Sequence, residues 1–253
     1  MKKMQVFIFI IAFICFVGSG GYLAKYFYER HVSEKNMDAV KELLVDEVEN
    51  NEETILDENN ESILARYSKL KEENPDFAGW ISIPGTTIDY PVMYIPEDND
   101  TYLYANFKKE WDAAGTPFID GSCTLDPVSD NLIIYGHHMN DKSMFEPLMN
   151  YKDPDFYEAH KTISFDTLRA KGSYEVVAVI LTRALYTGEE GFRYYGYFNF
   201  SNEEEFNYYW QNIQSMSLYE TDTEPNYGDK LITLSTCEYS QEDGRLAVIA
   251  VKK

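Results

Sequence analysis

Leu231-Ile-Thr-Leu-Ser-Thr-Cys237 and Arg245-Leu-Ala-Val-Ile-Ala-Val251 are two short aliphatic and β-branched runs, with the seven residues Glu238 to Gly244 between them. Runs of this length and composition read as strands, and Asp243-Gly244 supplies turn chemistry, so the pair predicts an antiparallel hairpin. Upstream, six further runs have the same character: Trp80–Ile83, Ile88–Tyr94, Thr116–Ile119, Leu132–Tyr135, Thr162–Phe165 and Tyr174–Leu181. Eight short strands with turn signals such as Pro84-Gly85 between them predict a mainly β fold, a closed or nearly closed barrel.

Helical patterns are few. Ser201-Asn-Glu-Glu204 reads as a capping box ahead of Phe206, Tyr209, Trp210 and Ile213, which places a helix between two late strands. A shorter helical stretch is expected over Ser143–Tyr151. Before the barrel, Met37, Val40, Leu44 and Val48 fall at helical spacing and predict a thin amphipathic helix. Ile63, Tyr67 and Leu70 predict a second helix, stopped by Asn74-Pro75.

The chain opens with Lys2 and Lys3, an apolar run from Met4 to Val17, Gly18-Ser-Gly-Gly21 and Tyr22-Leu-Ala24. About 20 such residues suffice to cross a bilayer. A cleaved signal peptide is the competing reading, and either one exports the rest of the chain. An uncleaved anchor is favoured because no clean small-x-small cleavage site follows the apolar run. Lys25 and Arg30 on the far side leave the positive-inside asymmetry weak.

A net charge of −21 with no Lys/Arg cluster excludes nucleic acid as a partner. The acidity concentrated between Glu29 and Glu73 reads as a solvated face. Of the three cysteines, Cys15 lies in the apolar run as a small hydrophobe. A disulfide between Cys123 and Cys237 is the default expectation for an exported domain, and would make it a non-catalytic surface barrel.

The hairpin offers Cys237 another role. Antiparallel pairing brings Arg245 beside it, and a partly exposed thiol next to a guanidinium is a setting that favours thiolate. Asn131-Leu-Ile-Ile-Tyr135 is a buried-strand pattern running into Gly136-His137-His138. The glycine lets the backbone turn out of the sheet, which brings His137 to the barrel rim. Neighbours on an extended strand face opposite sides, so His137 and His138 are poorly placed to share a metal, and no metal or cofactor is expected. His31 and His160 read as surface residues.

Thr233-Leu-Ser-Thr-Cys237, Arg245 eight positions on, and Tyr135-Gly-His-His-Met139 resemble the signature segments of sortases, class B in particular. Asn74-Pro-Asp-Phe-Ala-Gly-Trp80, Ile83-Pro-Gly-Thr-Thr-Ile-Asp-Tyr-Pro-Val92, Asn99-Asp-Thr-Tyr-Leu103 and Gly115-Thr-Pro-Phe-Ile-Asp120 resemble the class B opening. The likeness covers about residue 67 to the C-terminus. It implies an eight-stranded sortase-type β-barrel with N-terminal helices as the catalytic domain (67–253). The apolar run and acidic stretch read above make the residues before it a transmembrane signal-anchor (1–24) and an acidic helical spacer (25–66).

Carried over by motif, the resemblance implies His137, Cys237 and Arg245 as catalytic residues and leaves His138 without a role. It also implies Asn99, Leu103, Ser235 and Glu238 as substrate-binding positions, whereas the strand position near Thr182 is not clearly matched. The activity implied is that of a membrane-held, extracytoplasmic cysteine transpeptidase. It would cleave the C-terminal sorting signal of exported proteins after Thr, form a thioester on Cys237 and pass the protein to an amine of a peptidoglycan precursor. A plain cysteine endopeptidase and a pilin-polymerising sortase are the rival activities.

Overall fold

In the computed structural model, which describes residues 2–44, 54–56 and 62–253, each of the eight expected runs is a strand. In chain order the elements are α1 (Lys2–Lys41), β1 (Thr54–Leu56), β2 (Ser62–Leu64), α2 (Ser68–Glu73), β3 (Phe77–Ser82), β4 (Asp89–Met93), β5 (Phe118–Ile119) and β6 (Asn131–Tyr135). Then come α3 (Pro154–Ala159), β7 (Thr162–Thr167), β8 (Ser173–Arg183), α4 (Glu203–Met216), β9 (Leu231–Cys237) and β10 (Gly244–Lys252). The barrel closes in the order β10-β8-β7-β3-β4-β5-β6-β9. Two of its pairings are parallel, β4 with β5 and β6 with β9, and the others are antiparallel.

Alternation along the strands sorts residues to two faces. Leu132 and Ile134 of β6, Ile232 and Leu234 of β9, and Leu246 and Val248 of β10 fill the barrel interior. The alternate residues Leu231, Ala247, Ile249 and Val251 face outward, where Phe206, Tyr209, Trp210 and Ile213 of α4 cover them. Each large apolar side chain so buried contributes roughly 1.5–3 kcal/mol against exposure.

The cap of α4 lies one residue later than the sequence pattern suggests. Asn202 Oδ1 accepts from Glu205 N–H at 2.9 Å, and Glu205 Oε2 accepts from Ser201 N–H at 2.8 Å. Asn202 is an equally good cap, with Glu205 reaching back to the N–H of the residue before it, and this register sets Glu203, Glu204 and Glu205 in the first turn, where the helix dipole favours negative charge. The stretch expected as a helix over Ser143–Tyr151 is a 3₁₀ helix from Glu146 to Lys152. Asp153, held extended by the proline that follows it, separates this turn from α3 and caps α3 by accepting from Asp155 N–H at 3.0 Å.

Upstream of the barrel the expectations are corrected. Ile63 does not open a helix; it pairs with Ile55 across β1 and β2, and Leu64 N–H donates to Leu168 O at 2.7 Å. Only a 3₁₀ turn over Ala65–Tyr67 and α2 follow before Asn74. Here tertiary pairing overrides helical spacing. Met37 and Val40 lie in α1, Leu44 lies beyond its end, and Val48 falls outside the described residues.

The α1 helix runs unbroken through Gly18-Ser-Gly-Gly21, across the boundary expected at residue 24. Its apolar part from Met4 to Val17 stands exposed, and the helix from Met4 to Lys41 that contains it is, by length and composition, long and apolar enough to cross a membrane. Its later part docks on the barrel. Val40 is buried with Leu64, Tyr67, Phe77 and Trp80, while Arg30 pairs with Asp141 at 3.3 Å and Lys41 with Asp89 at 2.7 Å.

Candidate active site

Strand direction assembles the site. Because β6 and β9 are parallel neighbours with Tyr135 opposite Ser235, both emerge at the same rim, and each carries a chemical residue two positions on: His137 and Cys237. Antiparallel pairing of β9 with β10 sets Arg245 directly opposite Cys237. Residues opposite one another across such a pair have Cβ atoms about 4.5–5.5 Å apart. Tyr135, Ser235, Cys237 and Arg245 share the outward parity of their strands, so the site opens on the outer face of the barrel near its rim. A cleft of about 310 Å³ is lined there by Asn99, Leu103, His137, Ser235, Cys237 and Arg245, among others.

Local chemistry orients each group. His137 Nε2 lies 2.7 Å from the Leu103 carbonyl oxygen. A carbonyl only accepts, so Nε2 carries the hydrogen and Nδ1 is the nitrogen left to exchange a proton. The imidazole also packs on Tyr104, with ring centroids 5.4 Å apart. Leu103 can offer its carbonyl because Gly115 leaves room: Gly115 has φ +59°, and a Cβ there would meet Leu103 O at 2.5 Å. Arg245 Nη1 donates to the carbonyls of Gly244 (2.9 Å) and Asp243 (3.3 Å), which holds the guanidinium against its own turn.

In the wall of the cleft, buried Tyr194 shares a 2.7 Å hydrogen bond with Ser235 Oγ. Burial pushes its phenol up to about 12, against the opposing effects of that bond and of Arg245, so it stays a neutral hydrogen-bonding group. All three cysteines are free, which removes the disulfide reading. Cys123 is buried with its Sγ 3.7 Å from Asn131 O, and burial pushes the thiol up to about 12; Cys237 is half-buried and lines the cleft.

Among the expected binding positions, Asn99, Leu103 and Ser235 line the cleft and Glu238 does not. Glu238 is buried, pairs with Lys152 Nζ at 2.6 Å and accepts from Ser240. Asn99 Oδ1 accepts from Gly121 N–H at 2.7 Å. Thr182 is the β8 partner of Arg245, and the cleft wall on that side is Ala184 with Tyr194 and Tyr195. Those wall residues escaped the sequence reading because Gly191–Tyr197 has neither helical nor strand periodicity; its density of aromatics was the available signal.

The two adjacent histidines turn to different partners. His138 Nδ1 approaches the Cys237 carbonyl at 3.0 Å, and its ring packs on Tyr239. His31 is exposed on α1, whereas His160 is not a free surface residue: it stacks on Phe156 at 3.9 Å and its Nδ1 meets Phe156 O. A separate cleft of about 200 Å³ between α1 and the barrel is lined by Arg30, Met37, Asp141 and Met144, and it contains no cysteine or histidine.

A family model described as the Sortase domain matches residues 81–253. Sortase B of Listeria monocytogenes is 37% identical over 181 residues, 71% of this chain and 70% of the relative. Sortase B of Staphylococcus aureus is 31% identical over 198 residues, 78% of each chain. Among solved structures, sortase B from B. anthracis in complex with AAEK1 superposes with a TM-score of 0.73 at 32% identity, covering 89% of this chain and 98% of that one.

Proposed function

This chain belongs to the sortase family of cysteine transpeptidases, with class B as its near kin, and from that premise we propose that Cys237 is the nucleophile, His137 the proton carrier and Arg245 the electrostatic stabiliser. The substrate is the C-terminal sorting signal of an exported protein, laid along the cleft past Asn99, Leu103 and Ser235. Cys237 Sγ attacks the carbonyl carbon of the signal's threonine. A C–S bond forms, the C–N bond breaks, and His137 Nδ1, which has taken the thiol proton of Cys237, passes that proton to the departing amine. An amine of a cell-wall precursor then attacks the thioester, His137 takes a proton from it, and the thiolate leaves.

The single observation that supports this reading most is the pairing of β6 and β9 as parallel neighbours, which ends both strands at one rim with His137 and Cys237 two residues beyond their last aligned pair. Arg245, opposite Cys237, is suited to offset charge on the tetrahedral oxygen; a donor aimed at developing charge typically contributes on the order of 3 kcal/mol. Glu238 is left out of the binding set, because its carboxylate is engaged by Lys152 and Ser240. We take residues 1–24 as the anchor and the chain from residue 67 as the catalytic domain, outside the cytoplasm, where an enzyme held at the membrane meets lipid-linked acceptor and newly exported protein together.

Incubating the enzyme with a panel of sorting-type pentapeptides and measuring the mass of the protein tests the assignment. The expected result is an acyl adduct on Cys237 that Cys237→Ala lacks, converted to an amide when an oligoglycine or diaminopimelate-type amine is added. An adduct on another residue sinks the nucleophile assignment. Release of free acid alone, whatever amine is offered, favours the endopeptidase.

A further inference from the structure

His138 has no part in the chemistry assigned to His137, yet its ring Nδ1 stands 3.0 Å from the carbonyl oxygen of Cys237. The carbonyl can only accept, so Nδ1 carries a hydrogen and donates. The place of this bond in the sheet sets it apart. Glu238 N–H donates to Gly244 O at 2.9 Å while Gly244 N–H turns to Gln241 O, so residues 238 and 244, just past the β9–β10 ladder, keep one bond of a hydrogen-bonded pair. The next pair, Cys237 and Arg245, is then a non-hydrogen-bonded one, whose main-chain groups point away from the partner strand. The Cys237 carbonyl therefore points across β9 toward the β6 side.

On that side the parallel ladder is ending. Gly136 N–H donates to Ser235 O at 3.2 Å, and the next rung, two residues further along both strands, would run from the main-chain N–H of residue 138 to the oxygen of residue 237. The main chain has turned away by then: His137 O accepts from Phe145 N–H at 2.8 Å, and His138 bridges to Met144. The ring N–H of His138 stands in for the missing main-chain donor. Thr236 makes a matching replacement, its Oγ1 donating to Gly136 O at 2.8 Å. These two side-chain bonds let β6 leave the sheet, which frees His137 for the cleft, while β9 stays tied as far as Cys237.

We propose that His138 is a positioning residue for Cys237: its Nδ1–H holds the carbonyl of the cysteine and so fixes the direction in which the thiol leaves the strand. Tyr239 holds the ring in place, with centroids 4.9 Å apart. This role rests on Cys237 being the nucleophile.

Two substitutions separate donor from bulk. His138→Phe keeps a ring against Tyr239 and removes the donor, whereas His138→Asn loses the ring and sets an amide nitrogen near the place of Nδ1. For cleavage of a sorting-type peptide, H138F is expected to lower kcat by roughly tenfold or more with KM within about twofold, the cost of a misaimed reacting atom. H138N is expected to stay within about threefold of the parent. A role confined to packing predicts the reverse order, since Asn preserves none of the ring. Wild-type kcat in H138F, or a loss in H138N equal to that in H138F, overturns the proposal; should H138F fail to fold, H138L serves as the donor-free variant under the same criteria. The mass of the parent enzyme after peptide addition keeps the two failures apart. Absence of an adduct on Cys237 sinks the nucleophile assignment and this role with it, while a normal adduct beside an unimpaired H138F sinks this role alone.

Discussion

Glu238 follows the cysteine directly, and its side chain turns away from the cleft into an ion pair. The ammonium of Lys152, then the hydroxyl and N–H of Ser240, hold its carboxyl at about 2 from an ordinary value of 4.5. A carboxyl whose folded value is depressed contributes stability that is fully present above 4.5 and is lost as pH falls toward 2. Over that window the melting temperature of Glu238→Gln should therefore fall less steeply than that of the parent, read by thermal unfolding at stepped pH. Parallel curves would remove the ion pair from the acid sensitivity. Sequence motif placed Glu238 among the binding residues, and motif cannot register this pairing: Lys152 is 86 positions away and meets the carboxylate only through the fold. Cys237, His137 and Arg245 were legible for the opposite reason, since each sits at a strand end that the local pattern already marks.

At the level of elements, the barrel strands were readable because short β-branched runs between turn residues have few other uses. What precedes them was legible only in part: Leu70 does lie in α2, which stops at Asn74 as expected, but Ile63 satisfies the same helical spacing and is held in β2 opposite Ile55, as Leu64 is tied to Leu168, by tertiary pairing. The loop from Tyr94 to Pro117 belongs to the same lesson: no periodicity marks it, yet it supplies the carbonyl that orients the His137 imidazole. Gly115 makes this possible, at φ +59° and with the carbonyl oxygens of Tyr102 and Leu103 2.6 and 2.5 Å from where a Cβ would stand. Gly115→Ala must push that strand of loop away, at a cost of about 1–3 kcal/mol for backbone strain. Since Leu103 O is the acceptor for His137 Nε2, kcat should fall by more than the loss of folded protein accounts for. Active-site titration beside a melting curve measures both, and a full kcat per folded site would show that the imidazole does not depend on this loop.

For the molecule as a whole, α1 joins what the sequence divided into anchor and spacer. A helix of 40 residues rises about 60 Å, of which a stretch from Met4 to Ala24 would fill a bilayer core of about 30 Å. The remainder is no loose tether, because Val40 is buried in the cluster around Leu64, Tyr67 and Trp80. The exposed pair Lys41–Asp89 adds little, at about 0–1 kcal/mol, so the apolar contact, together with Arg30 reaching the largely buried carboxylate of Asp141, decides how firmly the helix is docked. If that contact holds, the barrel sits at a fixed attitude to the membrane and its cleft at a fixed height. Three forms of the chain separate docking from anchoring. The full chain should sediment with lipid vesicles, and one starting at Lys25 should remain in solution with the same melting temperature as the detergent-solubilised full chain. One starting at Ser62 should melt roughly 3–10 °C lower, from the loss of about 1.5–3 kcal/mol of apolar burial. The first two should form the Cys237 adduct with free peptide at similar rates, since the cleft residues begin at Asn99. Equal melting of the two truncated forms would show that α1 merely leans on the barrel, and a full chain left in the supernatant would remove the anchor.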